Sequence, residues 1–227
     1  MYIITGHTKG LGKKLITHLN DNKKKTVGLS RSKISLDLNI EEYKIDFSNP
    51  DFEILKNLKI NLSKYEDQIY FIINAFTYGM SNPDISDLRK TLHTNLFNQF
   101  ECIEYLNLQN KKLKVILIGA QEGFYQRSNF KGYTLSKNII NRLPNYINFL
   151  HLQSHIIGPV KSEKLPNSNN NILLKYFNNF FSLSYEELSR KIIKNIHNNK
   201  EVFLYQKFYF ILKFPLVVII KLINYLK

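Results

Sequence analysis

The sequence predicts one doubly wound α/β domain with a parallel sheet of about seven strands. Three observations predict it. Short apolar runs of strand length alternate with helical patterns along the chain. The runs Ile69–Ala75 and Leu113–Gly119 are strongly apolar, as in parallel strands covered on both faces. A glycine-rich turn, Thr5-Gly6-His7-Thr8-Lys9-Gly10-Leu11-Gly12, joins the first strand to the first helix.

The elements follow in order. Tyr2–Thr5 is the first strand, and the next helix sets Leu11, Leu15, Ile16 and Leu19 near one face. Thr26–Leu29 and Tyr43–Ile45 are the second and third strands, and Ile69–Ala75 is the fourth. A long helix is expected over Leu92–Leu108, the fifth strand over Leu113–Gly119, and a helix over Tyr133–Leu143 that Pro144 stops. Ile147–Leu152 and Val202–Tyr205 complete the sheet. Residues 161–181, with the Asn-rich patch Asn167–Asn171, are expected to form a mobile cover over a substrate. A helix over Tyr185–Asn198 follows, capped by Ser182 or Ser184. The division is a nucleotide-binding domain, 1–206, and an apolar, basic C-terminal helix, 207–227.

Composition narrows the function classes. Hydrophobic residues are 44% of the chain, enough for a substantial core. The single cysteine, Cys102, excludes an internal disulfide framework, and the start of the chain carries no secretory pattern. Both point to the cytoplasm. The net charge is +14, but the lysines are scattered and no nucleic-acid module is visible, so no nucleic-acid partner is expected. His93, His151 and His155 lack metal-ligand spacing, and no metal is expected. His7 reads as an ordinary loop residue.

In the glycine turn, Gly6 allows a tight bend, Gly10 lets backbone approach a pyrophosphate, and Gly12 lets helix and strand pack closely. The helix start offers free N–H groups and a positive dipole end to an anion. This spacing, Thr-Gly-x-x-x-Gly-x-Gly, resembles the short-chain dehydrogenase/reductase family, and four further segments resemble it in order. Asp46-Phe47 resembles the family's adenine-contacting segment. Ile73-Asn74-Ala75-Phe76 resembles its Asn-Asn-Ala-Gly strand end, with Ile73 and Phe76 as replacements. Asn95 stands where the family has a helix Asn, and Tyr133-Thr-Leu-Ser-Lys137 matches its Tyr-x-x-x-Lys signature. Ile157-Gly158-Pro159-Val160 with Ser162 resembles the Pro-Gly-x-Val-x-Thr loop, with Ile157 for the first Pro.

The resemblance implies a Rossmann fold and a nicotinamide dinucleotide held by Gly6, Thr8, Lys9, Gly10, Leu11, Gly12, Ser30, Arg31, Asp46, Phe47, Asn74, Ala75, Tyr133, Lys137 and Ile157. After the second strand an acid would select NAD. Here the segment is Ser30-Arg31-Ser32-Lys33, with Lys9 nearby, so NADP(H) is expected. The family's catalytic roles fall on Tyr133 as proton donor, Lys137 as ribose holder and Asn95 as part of a water-mediated relay. At i, i+4, Lys137 shares a helix face with Tyr133, and its charge stabilises a phenolate that otherwise forms near ~10. One position departs: the family's Ser falls on Ala120, leaving Gln121, Thr77 or Ser128 as replacement donors.

The implied activity is NADP(H)-dependent hydride exchange with a carbonyl or alcohol. The alternative is a catalytically impaired NADP-binding regulatory or scaffold protein, marked by Ala120. From Lys137 to Gly158 the chain is shorter than the family pattern, which reduces the apolar surface for its usual tetramer and leaves a homodimer open. The run Phe208–Leu226 is nearly all apolar, with its regular helix expected from Pro215; projected at about 100° per residue, Lys213, Lys221, Asn224 and Lys227 fall within an arc of roughly 120°. That pattern fits a helix lying on the inner face of a membrane, and suits a lipid-linked or membrane-proximal substrate. Packing of the tail on the protein is the competing expectation.

Overall fold

The computed structural model describes residues 1–34, 38–54, 62–65, 67–80, 83–107, 112–124, 130–147, 151–161, 172–209, 211–212 and 215, with the side chains of 52 and 172–175 excepted. Seven strands form one parallel sheet: β1 (Tyr2–Thr5), β2 (Thr26–Ser30), β3 (Glu41–Lys44), β4 (Ile69–Ile73), β5 (Leu113–Ala120), β6 (His151–Ile157) and β9 (Val202–Leu204). Their order is β3-β2-β1-β4-β5-β6-β9. The strands β7 (Val160–Lys161) and β8 (Leu183–Ser184) pair separately.

Alternation along the strands builds two cores. Ile3, Phe71, Ile73, Val115 and Leu117 face one side, with Leu96, Cys102, Ile103, Leu106 and Ile140. Ile4, Ile72, Ile116 and Ile118 face the other, with Leu11, Leu15, Ile16, Leu188 and Ile192. The first side is covered by α2 (Ile85–Leu92), the π-helical turn His93–Phe97, α3 (Asn98–Asn107) and α4 (Lys131–Arg142). The second is covered by α1 (Gly10–Asp21) and α6 (Tyr185–Asn195), with α5 (Ile172–Phe181) preceding α6. The doubly wound parallel sheet and its count of seven agree with the expectation. The strand order reverses between β1 and β4, and in such sheets ligands bind outside the carboxyl ends at that point.

Several boundaries differ for physical reasons. The helical run begins at Ile85 rather than Leu92, because Asp84 caps it by accepting from Asp87 N at 2.8 Å. Ile85–Leu92 is mostly polar and hides from an apolar pattern. The sixth strand is His151–Ile157, not Ile147–Leu152. Two of its buried polar residues have side-chain partners: His155 bonds Tyr205 Oη at 2.7 Å, and Gln153 Nε2 donates to Lys200 O at 2.8 Å. Burial pushes His155 down to about 3, so the ring is neutral. The third strand begins at Glu41, two residues before Tyr43. Part of the expected mobile cover is the helix α5, while 162–171 lie outside the described residues.

Most of the tail, 216–227 included, also lies outside the described residues. Where it is described, Tyr209 is fully buried, donates to Asn178 Oδ1 at 2.8 Å and packs its ring tilted against Phe177 and edge-on to Phe181. Phe208, Ile211 and Leu212 are exposed. Among the described residues, no helix is long and apolar enough to cross a membrane.

Candidate active site

The glycine turn leaves β1 at the switch point. Gly6 has φ +65°, and a Cβ at Gly12 would stand 2.5 Å from Asn74 Nδ2 and closer still to the Gly6 carbonyl oxygen. The turn and helix can meet only with glycine there. Thr5 fixes the turn. Its buried hydroxyl donates to Gln99 Oε1 at 2.8 Å and accepts from Asn74 N and Ala75 N, both at 2.9 Å. Asn74 Nδ2 donates to Gly6 O at 3.0 Å, and Gln99 Nε2 donates to Ala75 O at 2.7 Å. Lys9 occupies the cap position of α1 and makes no side-chain capping bond. The first N–H groups of α1 thus face the turn without a side-chain acceptor, the donor set a phosphate needs. Thr8 and Gly10 line this turn, and Leu11 anchors it in the core.

The adenosine end is bounded by β2 and β3. Arg31 is exposed, as is Lys9. The Ser30 hydroxyl donates to Ser32 O, so its proton is committed within the turn rather than free for a phosphate. Asp46 lies close enough to Arg31 and Lys90 to feel their charges. Partial burial pushes its carboxyl up, but bonds from Ser48 and those cations outweigh this and hold it below its usual value. Phe47 is buried, and its carbonyl accepts from Asn98 Nδ2 at 2.7 Å.

Tyr133 and Lys137 lie one turn apart on α4, both buried. Lys137 is 3% exposed, and its Nζ donates to Ile118 O at 2.6 Å. The ammonium sits 5.2 Å from the Phe76 ring centroid and 5.7 Å from that of Tyr133. Burial pushes its pKa down to about 8, partly offset by Glu122. Phe76, Tyr78 and Tyr133 form an aromatic cluster, with Tyr78 4.8 Å from Tyr133 and 5.4 Å from Phe130. Phe130, at the cap position of α4, has a left-handed backbone with φ +66°.

Asn95 sits in the π-helical turn, a local break common at functional sites. Its side chain braces the site. Asn95 Nδ2 donates to Thr77 O at 2.9 Å and to Ser136 Oγ at 3.1 Å, and Oδ1 accepts from Thr77 N at 2.7 Å. Ser136 in turn donates to Tyr133 O.

Ala120 ends β5 and is clamped by Asn141: Ala120 N donates to Asn141 Oδ1 at 3.1 Å, and Asn141 Nδ2 donates to Ala120 O at 2.8 Å. Of the replacement donors, Gln121 is buried beside Ala120, with Nε2 toward Glu122. Thr77 Oγ1 lies 3.4 Å from Gly79 N, and Ser128 lies outside the described residues. Ile157 ends β6, next to Gly158, whose N–H donates to Gln206 Oε1.

The carboxyl ends of β1, β4 and β5 thus gather the glycine turn, Asn74, Ala75, Asn95, Tyr133 and Lys137, while Arg31, Asp46 and Phe47 bound the β2–β3 side. Sequence reasoning missed Thr5, Gln99, Asn141 and the aromatic cluster. Polar residues at inward positions of α3 and α4 are the signal for Gln99 and Asn141. Among the described residues, no group of three metal-ligating side chains occurs.

No family model matches the sequence, and no curated protein sequence does. Solved structures do match in fold. A short-chain dehydrogenase from Streptomyces avermitilis superposes with TM-score 0.70 at 14% identity, covering 99% of this chain and 94% of its own. A short-chain dehydrogenase from Sphingobium yanoikuyae in complex with NADPH gives TM-score 0.68 at 15% identity, covering 88% and 86%. A bulky-bulky ketone specific alcohol dehydrogenase from Comamonas testosteroni gives 0.66 at 14%, covering 96% and 92%. The chain therefore has the Rossmann-type fold that these short-chain dehydrogenases share.

Proposed function

We propose that this chain is a short-chain dehydrogenase/reductase that exchanges a hydride between NADP(H) and a carbonyl or alcohol. The observation that carries the reading is the buried Tyr133–Lys137 pair at the carboxyl end of β5, on the same edge of the parallel sheet as the glycine turn that leaves β1. The solved complex with NADPH of a structure alike in fold supports the cofactor class. Gly6, Thr8, Gly10, Leu11 and Gly12 would hold the pyrophosphate, Lys9 and Arg31 the 2′-phosphate, and Asp46 and Phe47 the adenine, while Ser30 is engaged with Ser32 O. Asn74, Ala75 and Ile157 would flank the rest. The nicotinamide supplies the hydride when bound.

The chain's own residues supply the rest. Lys137 is cationic below about 8 and lies near the Tyr133 ring, so it favours the phenolate left when Tyr133 gives its proton to a substrate oxygen. Asn95 holds α4 against the exit of β4 and fixes where Tyr133 points. Phe76, Tyr78 and Phe130 favour a substrate with an apolar body at the carbonyl. A non-catalytic dinucleotide-binding role is the second reading. Ala120 favours it, having no hydroxyl, and so does the engagement of Lys137 with Ile118 O. Tyr133→Phe separates them: NADPH binding is expected to survive while turnover on an apolar ketone panel falls by about a hundredfold or more. Unchanged turnover overturns the assignment.

A further inference from the structure

One partly buried carboxylate, Glu42, ties together three segments around the adenosine end. His7, in the glycine turn, is fully buried, and its ring lies flat over Gly28 of β2. A Cβ at Gly28 would fall 2.5–2.6 Å from three ring atoms, so the ring fits only over glycine. In the parallel register Gly28 faces Glu42 of β3, and paired residues project to the same side. Glu42 Oε1 lies 2.5 Å from His7 Nε2, and the same oxygen accepts from Ile34 N at 2.8 Å. His7 Nδ1 has no partner among the described residues, so Glu42 is the one hydrogen-bonding anchor of the ring among them. The clasp thus joins the turn carrying Lys9 to the segment carrying Arg31.

We infer that Glu42, through this clasp with His7, is a specificity-determining positioning residue that sets Arg31 for the 2′-phosphate of the dinucleotide. This rests on the reading that the chain binds NADP(H). Arg31 has a competing partner, because Asp46 feels its charge. The bond from Ile34 N to Glu42 ties the segment three residues beyond Arg31 to β3, so losing it would free Arg31 to turn further toward Asp46. The negative charge of Glu42 is taken up by the imidazole and the Ile34 N–H, so the phosphate meets Lys9 and Arg31. A dinucleotide without the 2′-phosphate does not use Arg31 and should be insensitive to the clasp.

The test is calorimetric binding of NADPH and of NADH to the wild type and to Glu42→Leu, Glu42→Gln, Gly28→Ala and His7→Ala. Glu42→Leu should weaken NADPH binding by about tenfold and NADH binding by less than about twofold, the scale of one charge-assisted bond. Glu42→Gln keeps an oxygen acceptor and should restore most of the NADPH affinity. Gly28→Ala pushes a methyl group into the imidazole and should mimic Glu42→Leu, but should lose its effect when combined with His7→Ala. Should Glu42→Leu not fold, the Gly28→Ala and His7→Ala pair carries the test by the same ratio. Equal losses for both cofactors, an unchanged ratio, or tighter NADPH binding without the carboxylate each overturn the inference. A wild type that binds NADH as well as NADPH overturns the cofactor reading, and this inference with it.

Discussion

Lys137→Met removes a buried cation while keeping a similar unbranched volume. The Lys137 amine is 3% exposed, and burial lowers its pKa from 10.5 to about 8. At about 1.36 kcal/mol per pH unit, that fall corresponds to about 3 kcal/mol. The sign follows from proton counts. Between about 8 and 10.5 the unfolded chain holds this proton and the folded chain does not, so wild-type stability rises with pH through that window. Below about 8 both states are protonated and the full desolvation cost is present. The variant lacks this group, so its stability relative to wild type should be most favourable at pH 7 and should fall by about 3 kcal/mol as pH reaches 10.5. The lost bond to Ile118 O leaves a buried carbonyl and costs about 1–3 kcal/mol at every pH, which shifts the curve without changing its slope. Urea unfolding of both proteins across pH 7–10.5 measures the difference directly. A difference that stays flat with pH would refute the reasoning that the amine is buried and charged. In the wild type, kcat/KM for carbonyl reduction should decline above about 8, where the cation is lost.

Arg31→Asp should weaken NADPH binding by about 1.5–3 kcal/mol and leave NADH binding much less affected, read by calorimetry. Ala120→Ser, at a peptide clamped by Asn141, should raise or at least not lower the rate with simple ketones. A large loss would show that the methyl makes room for substrate or for Gln121. Tyr209→Ala removes a fully buried ring and its bond to Asn178, so chemical denaturation should show a loss of about 3 kcal/mol. Loss of vesicle binding with no loss of stability would instead support the membrane-surface expectation for the tail.

The parts of this site carried by one short segment were legible in the sequence. The glycine turn is a strand-turn-helix signal confined to eight residues, and Tyr133 and Lys137 share a face by spacing alone. The parts made by distant segments were not. Glu42 reaches His7 across 35 positions, and Gly28 matters only because the register lays it beside both. Thr5 and Gln99 are 94 positions apart. Asn95 was found by resemblance, yet its bracing bonds to Thr77 and Ser136 depend on a π-helical turn that no apolar period reveals. The strand β6 was misplaced because Gln153, Ser154 and His155 look exposed in sequence and are buried in the fold, two of them by side-chain bonds. The edge strand β3, half-exposed with two glutamates, gave too weak a pattern to place its start.

The central claim is that Tyr133 and Lys137 serve hydride exchange with a carbonyl. The most direct measurement is a single turnover with NADPH deuterated at the transferring position of the nicotinamide and a panel of apolar ketones, with mass spectrometry of the alcohol formed. The account predicts alcohol carrying one deuterium from wild-type protein and, within the same time, almost none from Tyr133→Phe with bound cofactor. Bound NADPH that stays unoxidised with every ketone, or label transfer equally fast without the Tyr133 hydroxyl, would contradict it.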